Sequence, residues 1–146
     1  MFLFCVILIL NIVLQGVFMK NYFDLTGQVA VVTGCSTGLG VQMAKALANQ
    51  GAKIVAIARR KDKIDEVAKE IADTYKVETL AVQCDITDTD KVNAAIDEVV
   101  AKFGRIDILI NNAGTGAVAP AEDITDDQFN GELNVDLGGT FKVARA

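Results

Sequence analysis

The sequence predicts an α/β fold in which a doubly wound parallel sheet is built from four strand–helix units. Three observations support this prediction: four short uninterrupted apolar runs, an amphipathic stretch after each, and glycine at the ends of helices. Continuous apolar runs are typical of parallel strands that are buried on both faces. Repeated strand–helix alternation requires right-handed crossovers, which place helices on both faces of the sheet. The 146 residues are enough for one such domain.

The first two units account for residues 28–75. They are predicted as a strand at 28–33 (QVAVVT), a helix at 38–50, a strand at 53–58 (KIVAIA) and a helix at 61–75. Gly51 stands where a glycine ends a helix, because glycine adopts the left-handed conformation without strain. In the second helix, apolar residues recur at helical spacing and charged residues fill the opposite face. One face of that helix is therefore expected to pack on the sheet.

The last two units are predicted as a strand at 78–84 (ETLAVQC), a helix at 88–103, a strand at 105–111 (RIDILIN) and a helix at 125–146. Asp88 has the side chain of a good N-cap, and Gly104 closes the same helix. The final helix keeps its periodicity to Ala146. We therefore expect the fold to be truncated after four strand–helix units.

Composition excludes several classes of function. The net charge of −5 offers no basic surface for nucleic acid, so no such partner is predicted. Histidine is absent, which excludes a histidine-dependent triad and histidine-ligated zinc, and no metal site is predicted. Cys5, Cys35 and Cys84 lie far apart and form no Cys-x-x-Cys pair. Reduced thiols and a cytoplasmic location are therefore expected.

Residues 1–18 differ from the rest of the chain because they are apolar and carry no charge. They lack the basic start and the small-residue cleavage site of a secretory signal, which makes a cleaved signal the least favoured interpretation. Two others stay open. Translation begins at Met19, or the extension is a membrane anchor, for which about 18–20 apolar residues are marginally sufficient.

The stretch TGCSTGLG follows the first predicted strand and opens the first predicted helix. Gly34 permits a tight turn, Gly38 allows a phosphate to approach the backbone, and Gly40 allows close helix packing. The N-terminus of the following helix offers free N–H groups and a partial positive charge to an anion. Ser36 and Thr37 add hydroxyl donors. The stretch therefore predicts a site for a diphosphate.

The spacing Thr-Gly-x-x-x-Gly-x-Gly resembles the short-chain dehydrogenase/reductase family. The resemblance extends to CDITD at 84–88 and NNAG at 111–114, which follow the third and fourth strands. It implies a Rossmann-type fold, with residues 19–146 as a partial NAD(P)-binding domain. It also implies an oxidoreductase that transfers hydride between nicotinamide and an alcohol or carbonyl. Within the family, the motifs are most similar to gluconate 5-dehydrogenases and 3-oxoacyl-carrier-protein reductases, which implies a sugar-acid, polyol or 3-oxoacyl substrate.

The resemblance also implies roles for individual residues. The residues that would line the diphosphate and ribose are Gly34, Ser36, Thr37, Gly38, Leu39 and Gly40. Asp85 would accept a hydrogen bond from the adenine amino group, and Ile86 would pack on the ring. The residues that would brace the sheet beside the adenosine ribose and the nicotinamide are Asn111, Asn112, Ala113 and Gly114.

The end of the second strand bears on cofactor choice. An enzyme that prefers NAD places an acidic residue there to bind the ribose 2′-hydroxyl. Ala58 stands at that position, and Arg59 and Arg60 follow it. A guanidinium matches the geometry of a phosphate. The sequence therefore favours NADP, with NAD as the alternative.

The family's catalytic Tyr-x-x-x-Lys pair and its upstream serine have no counterpart here. Tyr22 and Tyr75 are the two tyrosines, and the residues four positions later are Thr26 and Thr79. Asp136 occupies the position of the family's catalytic asparagine, while Asn134 lies two residues earlier. Asp136 is therefore a candidate for a catalytic role, and an exposed acid on the surface of a helix is the alternative. We expect this chain to bind cofactor and to be inactive alone.

Two further hypotheses remain open at this level. One is a nucleotide-binding module without chemistry, and the other is a membrane-anchored reductase of lipids, steroids or retinol that uses residues 1–18. The resemblance implies that the complete protein acts on a small molecule. It also implies a homodimer or homotetramer that buries the last helix.

Overall fold

The computed structural model describes residues 22–116 and 118–146. Its four strands are β1 (Val29–Thr33), β2 (Lys53–Ala58), β3 (Thr79–Gln83) and β4 (Ile108–Ile110). They form one parallel sheet in the order β3-β2-β1-β4. The chain builds outward from β1 to β3 and then crosses to the other side of β1, so the strand order reverses between β1 and β4. The predicted doubly wound parallel sheet is confirmed.

The fourth strand is shorter than predicted. Residues 105–111 were expected to be extended, but the ladder with β1 covers only Ile108–Ile110. The Asp107 side chain accepts a hydrogen bond from the Val29 N–H at 2.8 Å and pairs with Arg105. Polar side-chain bonds therefore hold the start of this segment, in addition to the Asp107 N–H bond to the Val29 carbonyl.

The helices are α1 (Leu39–Asn49), α2 (Lys61–Tyr75), α3 (Thr89–Phe103), α4 (Asp126–Leu133) and α5 (Thr140–Arg145). A 3₁₀ turn at Ala121–Asp123 precedes α4, and a π-helix at Asn134–Gly139 joins α4 to α5. The helix predicted at 125–146 is helical without a break over 126–145, but its middle turns are π-helical, which the sequence pattern did not predict. Gly138 and Gly139 have low helix propensity and no side chains to hold a regular turn, which favours a wider one.

The predicted ends of α3 are confirmed. The Asp88 carboxylate accepts hydrogen bonds from the N–H groups of Asp90 and Lys91 at 3.1 and 3.2 Å. Gly104 ends the helix with φ +74°, and Gly51 follows α1 with φ +92°. These local bonds satisfy backbone groups that a helix end leaves unpaired.

Apolar layers cover both faces of the sheet. One layer packs strand residues such as Ala30 and Ile54 against α1 and α2. The other packs Val31 and Val55 against α3 and Val143 of α5. Because consecutive strand residues point to opposite faces, each strand contributes to both layers. This packing holds the carboxyl ends of the strands in one plane, where the candidate site lies.

None of the helices in the described part of the chain is both long and apolar enough to cross a membrane. Residues 1–18, which carry the anchor hypothesis, lie outside the described residues.

Candidate functional site

A cleft of about 930 Å³ opens beyond the carboxyl ends of the strands. The segments that follow the four strands each contribute residues to the wall of the cleft. The π-helix contributes a fifth segment. The lining residues are Gly34, Ser36, Thr37, Leu39, Ile57, Ala58, Arg59, Arg60, Cys84, Asp85, Ile86, Thr87, Asn112, Ala113, Gly114, Thr115, Asn134 and Val135. The cleft spans the point where the strand order reverses, which is where ligands bind in open α/β sheets.

The glycine-rich loop forms the central wall of this cleft. Gly34 has φ +67°, and a Cβ there would lie 2.8 Å from the Ala113 Cα. A Cβ on Gly40 would lie 2.6 Å from the Gly34 carbonyl oxygen. Gly38 has φ +66°, and a Cβ there would meet no atom within 4 Å, so its outer side is open. No side chain caps α1, which begins at Leu39, so its N-terminus is available to an anion.

The glycine-rich loop is joined to the loop after β4 by Thr33. This side chain is fully buried, and its Oγ1 accepts hydrogen bonds from the N–H groups of Asn112 and Ala113, each at 3.1 Å. The Asn112 Nδ2 donates in return to the Thr33 carbonyl at 3.0 Å. Sequence reasoning assigned no role to Thr33. The sequence did offer one signal for such a role, because Thr33 is a hydroxyl residue at the end of an otherwise apolar strand.

Arg60 lies across the glycine-rich loop. Its Nη2 donates to the Ser36 Oγ at 2.9 Å and is 3.3 Å from the Thr37 Oγ1. The Arg59 carbonyl accepts a bond from the Gln83 Nε2 at 2.8 Å, which ties the end of β2 to β3. The structure thus brings one guanidinium and two hydroxyls together at one side of the cleft. This group can bind a phosphate by charge and by hydrogen bonds.

The segment after β3 presents a carboxylate to the cleft. Asp85 Oδ1 accepts bonds from the Thr87 N–H at 3.0 Å and the Thr87 hydroxyl at 2.8 Å. These two bonds, the backbone one first, hold the pKa of Asp85 below its ordinary value, so it stays an acceptor at neutral pH. Burial raises the pKa of the neighbouring Cys84 thiol to about 11, which leaves that thiol protonated.

Ile86 is positioned by the π-helix. Its side chain is only 6% exposed although it borders the cleft. A Cβ on Gly139 would lie 2.5 Å from the Ile86 Cδ1 and 2.7 Å from its Cγ1. The helix backbone therefore packs directly against Ile86, and only glycine leaves room for that contact.

The loop after β4 forms the opposite wall with the π-helix. Asn112, Ala113 and Gly114 line the cleft, whereas Asn111 is exposed outside it. The Asp136 Oδ1 accepts a hydrogen bond from the Thr115 N–H at 2.9 Å. Asp136 itself is exposed and is not one of the residues that line the cleft.

Most of the predicted site residues meet in one cleft: Gly34, Ser36, Thr37, Leu39, Arg59, Arg60, Asp85, Ile86, Asn112, Ala113 and Gly114. Gly38 and Gly40 shape the loop without appearing in the wall, and Asn111 and Asp136 lie outside it. Sequence reasoning missed Ile57, Cys84, Thr87, Thr115, Asn134 and Val135 as wall residues. Cys84 and Thr87 belong to the CDITD motif and Thr115 directly follows NNAG, so their position at a strand end was the signal.

The model of the short chain dehydrogenase family matches residues 28–146. D-threitol dehydrogenase of Mycolicibacterium smegmatis is 38% identical over 124 residues, which are 85% of this chain and 47% of that protein. 2-Dehydro-3-deoxy-D-gluconate 5-dehydrogenase of Pseudoalteromonas atlantica is 38% identical over 131 residues, which are 87% of this chain and 50% of that protein.

Among solved structures, L-sorbose reductase of Gluconobacter frateurii, complexed with NADPH and L-sorbose, superposes with a TM-score of 0.79. It is 33% identical, and the match covers 84% of this chain and 47% of the reductase. Other solved neighbours hold NAD⁺ or NADP. The chain spans about half the length of the curated relatives it matches. The match over residues 28–146, together with a glycine-rich cleft at the strand ends, means that this chain belongs to the short-chain dehydrogenase family.

Proposed function

We propose that this chain is the dinucleotide-binding part of an NADP-preferring oxidoreductase that interconverts an alcohol and a carbonyl compound. One observation carries the proposal. The glycine-rich loop, the uncapped N-terminus of α1 and the group formed by Arg60, Ser36 and Thr37 all border one cleft at the switch point of the sheet. When bound, the nicotinamide supplies a hydride donor or acceptor for the substrate carbon.

The shape of the loop fits a diphosphate. Gly34 and Gly40 hold the turn tightly folded, because a Cβ at either position would contact backbone atoms. The space outside Gly38 is open, so a phosphate can approach the backbone and the N-terminus of α1 together. Backbone N–H groups and the helix dipole then favour negative charge at that point.

The two sides of the cleft suit different halves of a dinucleotide. Arg59, Arg60 and Asp85 follow β2 and β3, whereas Gly114 and Thr115 follow β4. Since β1 lies between β2 and β4, a ligand crossing its end has its adenosine half toward Arg60 and its nicotinamide half toward Thr115. Asp85, held ionised by Thr87, is the acceptor proposed for the adenine amino group.

NADP is proposed over NAD because of the chemistry at the end of β2. Ala58 leaves no carboxylate to bind a free ribose 2′-hydroxyl, and the Arg60 guanidinium is already held beside Ser36 and Thr37. A 2′-phosphate would meet a positive charge and hydroxyl donors there. The NADPH-bound L-sorbose reductase supports this choice, and the NAD⁺-bound neighbour keeps NAD as the alternative.

The site is tested by a pair of glycine variants. Gly38 and Gly104 both have positive φ and open space around them, but ψ is −137° at Gly38 and −5° at Gly104, so alanine strains the backbone more at Gly38. Urea denaturation of both variants therefore accompanies the binding measurement, and binding is compared under conditions in which both are folded. Gly38→Ala is expected to weaken NADPH binding at least about tenfold, because a Cβ blocks the approach of the phosphate to the backbone. Gly104→Ala, at the far end of α3, is expected to leave the dissociation constant within about twofold of its original value. Equal effects of the two variants, measured by NADPH fluorescence titration, would contradict the proposed site.

The complete protein is proposed to act on a sugar acid, a polyol or a 3-oxoacyl compound. Relatives named for threitol and for 2-dehydro-3-deoxy-D-gluconate support the first two classes. A cytoplasmic location is proposed as well, supported by two buried free thiols, Cys35 and Cys84. Residues 1–18 are proposed to be an extension to the domain at 19–146.

A homodimer or homotetramer is proposed for the complete protein. Large apolar side chains recur at intervals of four along α4, the π-helix and α5, and all of them are exposed: Phe129, Leu133, Leu137 and Phe141. Exposed apolar residues at this spacing form a stripe that a partner helix can cover.

A second candidate function is nucleotide binding without turnover. The observation in its favour is that every feature of the cleft described above is a binding feature, which a protein without turnover would also need. The two candidates share the cofactor site and differ only in whether the complete protein oxidises NADPH.

A further inference from the structure

We propose that the Asp136 carboxylate makes the cleft favour the oxidised form of a bound nicotinamide dinucleotide over the reduced form. The inference rests on the proposed function and adds to it a residue that determines which redox state binds more tightly. It starts from a departure from the family pattern, since Asp136 is charged where the resemblance places a neutral asparagine.

Asp136 lies directly behind one wall of the cleft. Its Oδ1 accepts the Thr115 N–H at 2.9 Å, and a Cβ on Gly114 would lie 3.3 Å from the same oxygen. Gly114 and Thr115 both line the cleft, as do Asn134 and Val135 from the same π-helix. The carboxylate is therefore separated from the cleft by a single layer of backbone with a glycine in it.

The negative charge has no direct cationic partner among the described residues. The bond that holds Asp136 comes from a neutral backbone N–H, and none of the ion pairs found in residues 22–116 and 118–146 includes it. The Nζ of Lys142 would lie 3.6 Å from a Cβ on Gly138, and Lys142 belongs to none of these ion pairs. No ion pair found in the described residues therefore neutralises the Asp136 carboxylate.

The charge lies at the end of the cleft that suits the nicotinamide. Arg60, Ser36 and Thr37 stand on the β2 side, and Gly114 and Thr115 stand on the β4 side. A phosphate-bearing adenosine bound at Arg60 directs the other half of the ligand toward Thr115. Asp136 acts there on the ring without contacting it.

The two redox forms differ in charge at the ring and nowhere else. The oxidised nicotinamide carries a positive charge, whereas the reduced ring is neutral. Asp136 is exposed, so solvent screens part of its charge, and its preference for the oxidised form is expected to be about three- to tenfold in affinity. Contacts to the phosphates and the adenosine are the same for both forms and cancel in the ratio of affinities.

The test replaces the charge and keeps the hydrogen bond. Asp136→Asn retains a side-chain oxygen that can accept the Thr115 N–H. Calorimetric titration of the full chain with NADP⁺ and with NADPH gives the ratio of their dissociation constants. In the variant, the ratio of the NADP⁺ constant to the NADPH constant is expected to rise about three- to tenfold. Asp97→Asn removes the same charge from the exposed face of α3 and is expected to leave the ratio unchanged.

Adenosine 2′,5′-bisphosphate, which has no nicotinamide, is expected to bind both proteins equally. An unchanged ratio in Asp136→Asn, with the bisphosphate still bound, overturns the inference and leaves the proposed function standing. Failure of the unchanged chain to bind any of the three ligands overturns both.

A second measurement covers the case in which the variant does not fold. In the unchanged chain, rising ionic strength screens the carboxylate, so the preference for NADP⁺ over NADPH is expected to diminish between low and high salt. A ratio that does not depend on salt overturns the inference.

Discussion

At the scale of single residues, Arg60 connects the end of β2 with the glycine-rich loop. Its guanidinium bonds to Ser36 and Thr37, and no carboxylate competes for it among the ion pairs found in the described part of the chain. A side chain held in this way needs little reorganisation to meet a phosphate. Pre-organisation of this kind improves affinity because less conformational entropy is lost on binding.

Arg60→Ala is expected to raise the dissociation constant of NADPH by about ten- to a hundredfold, the effect of losing a charged hydrogen bond to phosphate. NADH has no 2′-phosphate, so its dissociation constant is expected to change less than about twofold in the same variant. Fluorescence titration with both cofactors makes the comparison. An equal loss for NADH and NADPH would show that Arg60 supports the loop and does not select the cofactor.

The stability of the fold is expected to depend on pH through the hydrogen bonds between Asp85 and Thr87. The pKa of Asp85 is lowered in the folded chain, so ionised Asp85 stabilises the fold above its unfolded pKa. That contribution is lost as the pH falls through the lower, folded pKa. Thr87→Val removes the hydroxyl donor and is expected to raise the pKa of Asp85 toward its ordinary value.

Carboxyl NMR titration of the chain measures that pKa directly. Unfolding in urea at about pH 7 and about pH 3 is also expected to show a smaller loss of stability on acidification in Thr87→Val. Since the backbone N–H of residue 87 remains in the variant, the pKa of Asp85 should stay partly lowered. A pKa that does not move would mean that the backbone bond alone is responsible.

At the scale of elements, the π-helix is the part that links separate walls of the cleft. Asp136 contacts the loop after β4, and Gly139 packs on Ile86 after β3. π-helical turns are rare and are frequently found at functional sites. Here the wider turn lets one short segment contact the loops that follow two different strands.

Gly139→Ala tests this packing. The new Cβ would overlap two side-chain atoms of Ile86, so the variant is expected to lose about 1–3 kcal/mol of stability from overpacking. Gly131→Ala in α4 is the matched control, because a Cβ there meets nothing within 4 Å. That variant is expected to be neutral or stabilised by up to about 1 kcal/mol. Urea denaturation measures the free energy of unfolding of both variants and of the original chain.

The smaller side chain in Ile86→Val should restore part of the stability of Gly139→Ala. A double variant that is no more stable than Gly139→Ala would mean that the overlap is relieved elsewhere, and that the π-helix does not position Ile86.

At the scale of the whole molecule, the chain has the cleft proposed to bind the cofactor, and residues 1–146 contain no Tyr-x-x-x-Lys pair of the kind that the resemblance implies for proton transfer. We therefore expect the purified chain to bind NADPH and to oxidise none of it when a ketose or another carbonyl compound is added. The absorbance of NADPH follows the reaction. Carbonyl-dependent oxidation above the rate without protein would contradict this expectation.

Much of this protein was determined by its sequence alone. Buried β-branched runs favour strands covered on both faces, so the parallel sheet follows from local pattern. Asp88 and Gly104 end α3 through bonds within a few residues, which makes them readable without tertiary knowledge. The glycine spacing likewise identified the family, although the contacts that require glycine at Gly34 involve Ala113 from a distant part of the chain.

Only the tertiary structure decided how these parts meet. Thr33 and Thr115 join the site through contacts 80 and 21 positions apart in sequence, which no periodicity reports. The π-helix stands where a regular helix was predicted, and the residues it contacts, Ile86 and Thr115, belong to other segments. Local preferences shape the strands, caps and turns, whereas packing between distant segments sets the position of each side chain in the cleft.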